Sequence, residues 1–306
     1  MVVPNKKNKY IAYIKASFRA MRPYHIAKNF LLFIPLLVGH HYFNGTSLKN
    51  SFIGFFVFCL LASSAYVIND LVDLEKDKQH SKKQKRPFAS GELPLCIGFI
   101  LAPCLLLIAL TISFYLPLNF LLSAIVYYLL TLLYSVFIKQ KKWLDVALLA
   151  ILYSLRVFSG MALVENGYSL WLIIFVLFLF FSLAILKRYS ELYNAQLENK
   201  TSIVGRAYQL MDSRRLVVLG QTSMYLSILT FTSYIHSKKV LLIYKSPFLL
   251  WLICPCLFIW LKRWWYFAQQ GKIYDDPVVF TVTDKFSWFI VALVAGISFF
   301  AAWVTL

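Results

Sequence analysis

The residues best suited to chemistry stand in one run, Tyr66-Val-Ile-Asn69-Asp70-Leu-Val-Asp73-Leu-Glu-Lys-Asp77. If a helix continues through it, Asn69, Asp73 and Asp77 fall at i, i+4 and i+8, and Asp70, Asp73 and Asp77 at i, i+3 and i+7. These side chains then line one face. Carboxylates stacked in this way repel, and at the mouth of an apolar span they are costly unless cations neutralise them. Hard oxygen ligands suit Mg²⁺, which keeps waters and bridges to phosphate oxygens. Lys78, Lys82, Lys83, Lys85 and Arg86 arrive within nine residues of Asp77. Metal-binding carboxylates beside phosphate-binding cations fit a magnesium diphosphate group; the plainer alternative is a solvated acidic helix end with basic flanks.

The elements that position this run are apolar. Of 306 residues, 60% are hydrophobic and 14% charged, whereas soluble domains average about half and about a quarter. The chain therefore reads as an all-α polytopic membrane protein, and soluble enzyme folds, disordered chains and disulfide scaffolds are excluded. Apolar stretches of spanning length lie near 25–43, 50–70, 94–115, 118–138, 144–164, 168–187, 216–235, 246–267 and 286–305, nine helices in all. Asn44-Gly45, Gly91, Pro94, Pro117 and Asn166-Gly167 break them. The five cysteines fall in apolar segments and read as small buried hydrophobes. Trp264, Trp265 and Tyr266 read as lipid-boundary anchors.

The formal charge of +18 is explained by location rather than by nucleic acid. With the N-terminus inside, segments 1–28, 71–93, 139–143, 187–215 and 262–285 hold 26 of the 31 Lys and Arg residues, and the outer loops hold only Lys49, Lys238, Lys239 and Lys245. This asymmetry places the N-terminus and the acidic run in the cytoplasm and the C-terminus outside, in what is expected to be a bacterial inner membrane. Residues 9–21 put Tyr10, Ile11, Ile14, Phe18 and Met21 at helical spacing among Lys9, Lys15 and Arg19, which predicts an interfacial helix on the inner leaflet. Residues 1–24 thus form a basic N-terminal segment, and 25–306 a single nine-helix transmembrane domain. Arg156 lies inside a span, where a guanidinium needs a partner; it either grips phosphate or pairs with Asp145 or Glu191.

Asn69-Asp70-x-x-Asp73-x-x-x-Asp77, followed by Arg86-Pro87-Phe88-Ala89-Ser90-Gly91, resembles the first aspartate-rich motif and the RP-x-x-S-G of the UbiA-type intramembrane prenyltransferase superfamily. The resemblance covers essentially the whole chain. It implies nine helices around a cytoplasm-facing central cavity and a Mg²⁺-dependent transfer in which diphosphate leaves and a lipid is one partner. Members that prenylate aromatic acceptors carry a second DxxxD motif after the sixth helix. Here that segment reads Lys187-Arg188-Tyr189-Ser190-Glu191, and no acid four residues from another follows. One acidic motif with more cations matches the decaprenyl-phosphate phosphoribosyltransferase branch. Further agreement comes from Arg22-Pro23 with Lys28-Asn29, His80, Tyr134-Ser135 with Lys139, Leu144-Asp145-Val146 followed by Arg156, and Asp275-Asp276-Pro277 with Asp284. Lys78 and Ser81 stand where that branch leads one to expect Arg and Pro.

This resemblance implies 5-phosphoribose 1-diphosphate and a polyprenyl phosphate as substrates, with membrane lipids around them and a homo-oligomer left open. Asn69, Asp73 and Asp77 would hold Mg²⁺, with Asp70 beside them. Lys28, Tyr66, Lys83 and Arg86 would bind the sugar donor, and Lys139, Arg156, Lys187 and Arg188 the lipid phosphate. Tyr134, Asp145 and Glu191 would support those cations. Asp276 and Asp284 suit a substrate contact or a helix N-cap. The rival enzyme is a prenyl diphosphate: aromatic acceptor transferase of the quinone type, disfavoured by the missing second DxxxD. The rival class is an anion transporter, for which matched halves with broken spans are absent.

Overall fold

The computed structural model describes residues 6–79, 83–165, 167–197, 201, 206–273 and 277–304. The chain opens with α1 (Lys6–Ala20). Its small residues Ala16 and Ala20 are buried beside Val67, Phe88, Leu93 and Ala102, while Tyr10, Ile14 and Phe18 are exposed. Arg22, with φ of 52°, turns the chain into a 3-10 helix, Pro23–Phe33, which runs on as α2 (Ile34–Val38). Then follow α3 (Gly45–Val72), α4 (Leu74–Lys78), α5 (Leu95–Ser113), α6 (Leu118–Leu133), a π turn (Tyr134–Ile138), α7 (Leu144–Met161) and α8 (Leu170–Leu197). The rest comprises α9 (Ser213–Ile235), α10 (Lys238–Ile243), α11 (Ile253–Gln269), α12 (Pro277–Thr283) and α13 (Lys285–Trp303).

Among the described residues, eight helices are long and apolar enough to cross a bilayer, not nine. The span expected at 25–43 is the Pro23–Val38 segment, shorter in residues and wound as a 3-10 helix over most of its length. The other eight fall where hydropathy places them.

The α7 helix is the axis of the bundle, because both of its sides are covered. Val146, Tyr153 and Val157 pack with Phe180, Ile185, Trp264 and Trp265 of α8 and α11, and Leu148 and Leu152 with Phe58, Leu61, Phe120 and Tyr127 of α3 and α6. Its apolar window is 67% buried, against 22% for α5 and for α13, so the outer helices leave their apolar faces for lipid. The 3-10 segment lies directly on α7, where a Cβ at Gly160 would stand 2.1 Å from the Leu32 carbonyl oxygen. Only glycine fits such an approach.

Two readings are corrected. Trp264 and Trp265 are core residues, each 1% exposed. Small neighbours make their room: the Trp265 indole lies over Gly220, and its Nε1 donates to Ser182 Oγ at 3.2 Å. Cys96 and Cys104 are exposed and Cys59, Cys254 and Cys256 only partly covered, so none is the buried hydrophobe expected. Cys96 and Cys104 ride on α5, whose outward residues Phe99, Ile100 and Leu107 are exposed as well.

Candidate functional site

The acidic run closes α3. The helix stops at Val72, and Asp73, with φ of −90° and ψ of 7°, joins it to α4. The continuous helix expected from sequence is therefore broken, yet Asp73 N donates to Asn69 O and Asp77 N to Asp73 O, both at 2.9 Å. The i to i+4 ladder survives the break, and the side chains stay on one side.

Basic residues from three other segments meet this ladder. Arg22, from the turn before Pro23, contacts Asp70 Oδ1 and lies over the Tyr66 ring at 5.0 Å. Arg86 donates Nη1 to Asp70 Oδ1 at 3.2 Å and to Asp77 Oδ2, and Gly91, with φ of 78°, turns the loop behind it. Lys139, leaving the π turn, places Nζ against Asp73 Oδ2 and 3.4 Å from Asn69 Oδ1. Asp70 and Asp77 are each 2% exposed, so these pairs are shielded from the screening that makes surface ion pairs weak. Lys83 is exposed at the rim, in the field of Arg86, Asp77, Asp73 and Arg206.

A second cluster adjoins the first through the π turn. Arg188 of α8 is fully buried, donating Nε to Asp145 at 2.6 Å, Nη1 to Glu191 at 2.6 Å and Nη2 to the Tyr134 hydroxyl at 2.9 Å. Asp145 also accepts from Tyr208 at 2.6 Å. Burial and that bond hold the Tyr208 phenol above its usual pKa, so it remains a donor. Arg206 Nη1 donates to the Lys139 carbonyl at 2.6 Å, and its guanidinium lies 5.8 Å from the Tyr134 ring centre. Lys187 is half-buried beside Glu191.

The structure divides the cations expected to share one lipid phosphate. Arg188, with Asp145, Glu191 and Tyr134 on its guanidinium, ties α8 to α7 and to the π turn rather than presenting an open fork. Arg156 stands twelve residues beyond Leu144 on α7, about 18 Å of helix rise from the acidic end. It is 5% exposed and bonds Asn29 Oδ1 at 3.1 Å, the Leu152 carbonyl at 2.7 Å and the Tyr127 hydroxyl at 2.6 Å. Its hydrogen-bond partners are Asn29, Leu152 and Tyr127 rather than Asp145 or Glu191. Lys28 is buried with its Nζ 5.4 Å from the centre of the Tyr153 ring, which the Arg156 guanidinium also faces at 5.5 Å. Asp284 is an N-cap: it accepts from Ser287 N at 2.8 Å and from Arg263 at 2.6 and 2.9 Å. His80, Ser81, Lys82, Asp275 and Asp276 lie outside the described residues.

Sequence reasoning gave no role to Arg22 or Arg206. A positive φ immediately before proline marks Arg22 once the structure is seen, whereas nothing local distinguishes Arg206.

The donor set fits a magnesium ion. A positive group, the Lys139 ammonium, already sits where Asn69 Oδ1 and Asp73 Oδ2 converge. Among the described residues no three His, Cys, Asp or Glu side chains gather closely enough to hold an ion alone. An ion here would be completed by water and phosphate oxygens, the usual habit of Mg²⁺.

Apolar spans around a set of buried carboxylate–cation pairs define an integral membrane protein with a polar site at one end of its bundle. The UbiA prenyltransferase family model matches residues 32–283, and the chain belongs to that family. An uncharacterised protein of Sinorhizobium fredii is 35% identical over 92% of this chain and 55% of its own length; this chain thus spans little more than half of that relative. The nodulation protein NoeC of Azorhizobium caulinodans is 29% identical, covering 87% of this chain and 86% of its own. The decaprenyl-phosphate phosphoribosyltransferase of Mycolicibacterium smegmatis is 32% identical over 60% of this chain and 59% of its own. The solved structure of a UbiA homolog from Archaeoglobus fulgidus bound to GPP and Mg²⁺ shares the fold, with a TM-score of 0.69 and 16% identity over 94% of this chain and all of that one.

Proposed function

We propose that the protein transfers 5-phosphoribose from 5-phosphoribose 1-diphosphate to a polyprenyl phosphate, releasing diphosphate, with the acidic end of the bundle facing the cytoplasm of a bacterial inner membrane. The observation that carries this reading is the interleaving of one carboxylate ladder, Asn69 to Asp77, with Arg22, Arg86 and Lys139, while Arg188 and Lys187 stand where a second aspartate pair would be expected. A site so rich in cations suits two phosphate-bearing substrates better than one. The likeness to the Mycolicibacterium phosphoribosyltransferase supports the same choice.

Asn69, Asp73 and Asp77 would hold Mg²⁺, which when bound supplies positive charge to the departing diphosphate. Arg86 and Lys83 flank that position and take up phosphate charge as the bond from C1 to the diphosphate oxygen breaks. A lipid phosphate oxygen forms the new bond to C1. A phosphate monoester is nucleophilic near neutral pH, so no strong base is required. Lys187 and Arg206, both in the field of Glu191, would meet the lipid headgroup. The exposed apolar residues of α1, Tyr10, Ile11, Ile14 and Phe18, would rest on the inner leaflet.

The test is turnover by purified protein with Mg²⁺, 5-phosphoribose 1-diphosphate and a short polyprenyl phosphate, following diphosphate release and the lipid product by mass. Metal-dependent phosphoribosyl lipid, absent with EDTA and with Asp73→Ala, is the expected result. Consumption of a prenyl diphosphate with an aromatic acceptor instead would move the protein to the quinone-type reaction.

A further inference from the structure

We propose that Lys139 is a built-in counter-cation for the metal seat: in the metal-free protein its ammonium takes the place of the ion between Asn69 and Asp73, and it must withdraw before the ion enters. This rests on the magnesium part of the reading above and goes beyond it, because it assigns Lys139 a role toward that ion.

Three observations carry it. First, the Nζ lies where two oxygen ligands from successive turns converge, in contact with Asp73 Oδ2 and 3.4 Å from Asn69 Oδ1. The Lys139 and Asp73 side chains are only 14% and 15% exposed, so the pair is largely shielded from solvent. Second, the other two carboxylates are neutralised separately. Asp70 has Arg22 and Arg86, and Asp77 has Arg86. Lys139 is thus the cation in direct contact with the Asn69–Asp73 pair among the described residues, with Lys83 acting on Asp73 only through its field. Third, Lys139 leaves a segment able to move it. Its backbone N donates to Tyr134 O at 3.0 Å, the five-residue step of the π turn Tyr134–Ile138. Such single π turns are uncommon and recur at functional sites.

Relaxing that turn to an α-helix would pass the bond from Tyr134 O to Ser135 O. One residue of helix is about 100° of rotation, enough to swing the ammonium off Asp73. Tyr134 is held by Arg188, which fixes the start of the turn, and the Lys139 carbonyl by Arg206, a bond that must let go for the turn to relax. The freed ammonium would then face the incoming phosphate oxygens, and the cost of removing it from Asp73 is offset by the ion that replaces it.

The proposal predicts opposite signs for two measurements, which a merely structural lysine would not produce. Lys139→Met keeps the unbranched stem, one atom shorter, and removes its charge. Without metal, the variant should unfold earlier than wild type, because Asp73 loses its partner. Its affinity for Mn²⁺, measured directly by the EPR signal of the free ion, should rise about tenfold or more, because the competitor is gone. Lys139→Arg should restore metal-free stability and bind Mn²⁺ no more tightly than wild type, and Asp73→Ala should abolish the binding. Unchanged or weaker Mn²⁺ binding by Lys139→Met, with Asp73→Ala still losing it, would overturn the counter-cation while leaving the metal site standing. No Mn²⁺ binding by wild type or by any variant, with or without added diphosphate, would overturn both.

Discussion

Replacing Arg188 by methionine should damage folding more than substrate recognition. The guanidinium is 0% exposed, and Asp145, its partner at 2.6 Å, is 1% exposed. Methionine fills much of the same volume but leaves Asp145 buried with Tyr208 as its remaining donor. Removing one partner of a buried pair costs about 3–5 kcal/mol, or roughly two to three and a half decades in the folding equilibrium. The double variant Arg188→Met/Asp145→Leu removes both charges. Glu191, whose side chain is 34% exposed, can turn to solvent, and the Tyr208 hydroxyl, still accepting from Trp143 N, loses its acceptor at a cost of about 1 kcal/mol. The double variant should therefore recover at least half of the loss. The assay is unfolding in mixed micelles of neutral detergent and SDS, read by helical circular dichroism without substrates. If the single variant unfolds with wild type while its KM for a polyprenyl phosphate rises tenfold, Arg188 is an open phosphate ligand and the tie is wrongly assigned.

Arg156→Ala should lower stability by about 1–3 kcal/mol, leaving Asn29 and Tyr127 short of a donor, and should affect both substrates alike; a selective loss of lipid use in an otherwise stable protein would return Arg156 to the phosphate. Gly160→Ala should cost about 1–3 kcal/mol through overpacking, since its Cβ would meet the Leu32 carbonyl oxygen at 2.1 Å; a variant as heat-resistant as wild type would mean that the 3-10 segment does not rest there. Arg263, with the α13 cap, holds the Asp284 carboxyl at about 2, below its ordinary 3.8. A depressed carboxyl stabilises the folded protein fully above its unfolded pKa, and that part fades as pH falls through about 2. The side chain is 11% exposed, so the contribution is on the order of 2 kcal/mol. Wild type should exceed Asp284→Asn by this margin near pH 5 and lose the advantage by about pH 2; a difference independent of pH would show that charge is not its source.

How much of this was legible in the sequence follows from the range over which each interaction acts. The Asn69–Asp77 ladder is local, so its i to i+4 spacing predicts a shared side even though the helix breaks at Asp73. The positions of eight spans follow from hydropathy alone. The partners of the charges do not, because they depend on how each helix is rotated about its axis. A helix apolar nearly all round, as α3 and α8 largely are, carries little amphipathic pattern to fix that rotation. Arg156 and Arg188 illustrate the consequence. Sequence offers Asp145 and Glu191 as partners for the first, and both belong to the second, 43 residues from Asp145 along the chain. The signal that was available is the i, i+3 pairing of Arg188 with Glu191 on one helix. Small residues held the rest of the information: Gly160 seats the 3-10 segment and Gly220 admits Trp265. A glycine inside a span marks close contact but names no partner, which is why Trp264 and Trp265 read as boundary residues until the opposing helix is seen.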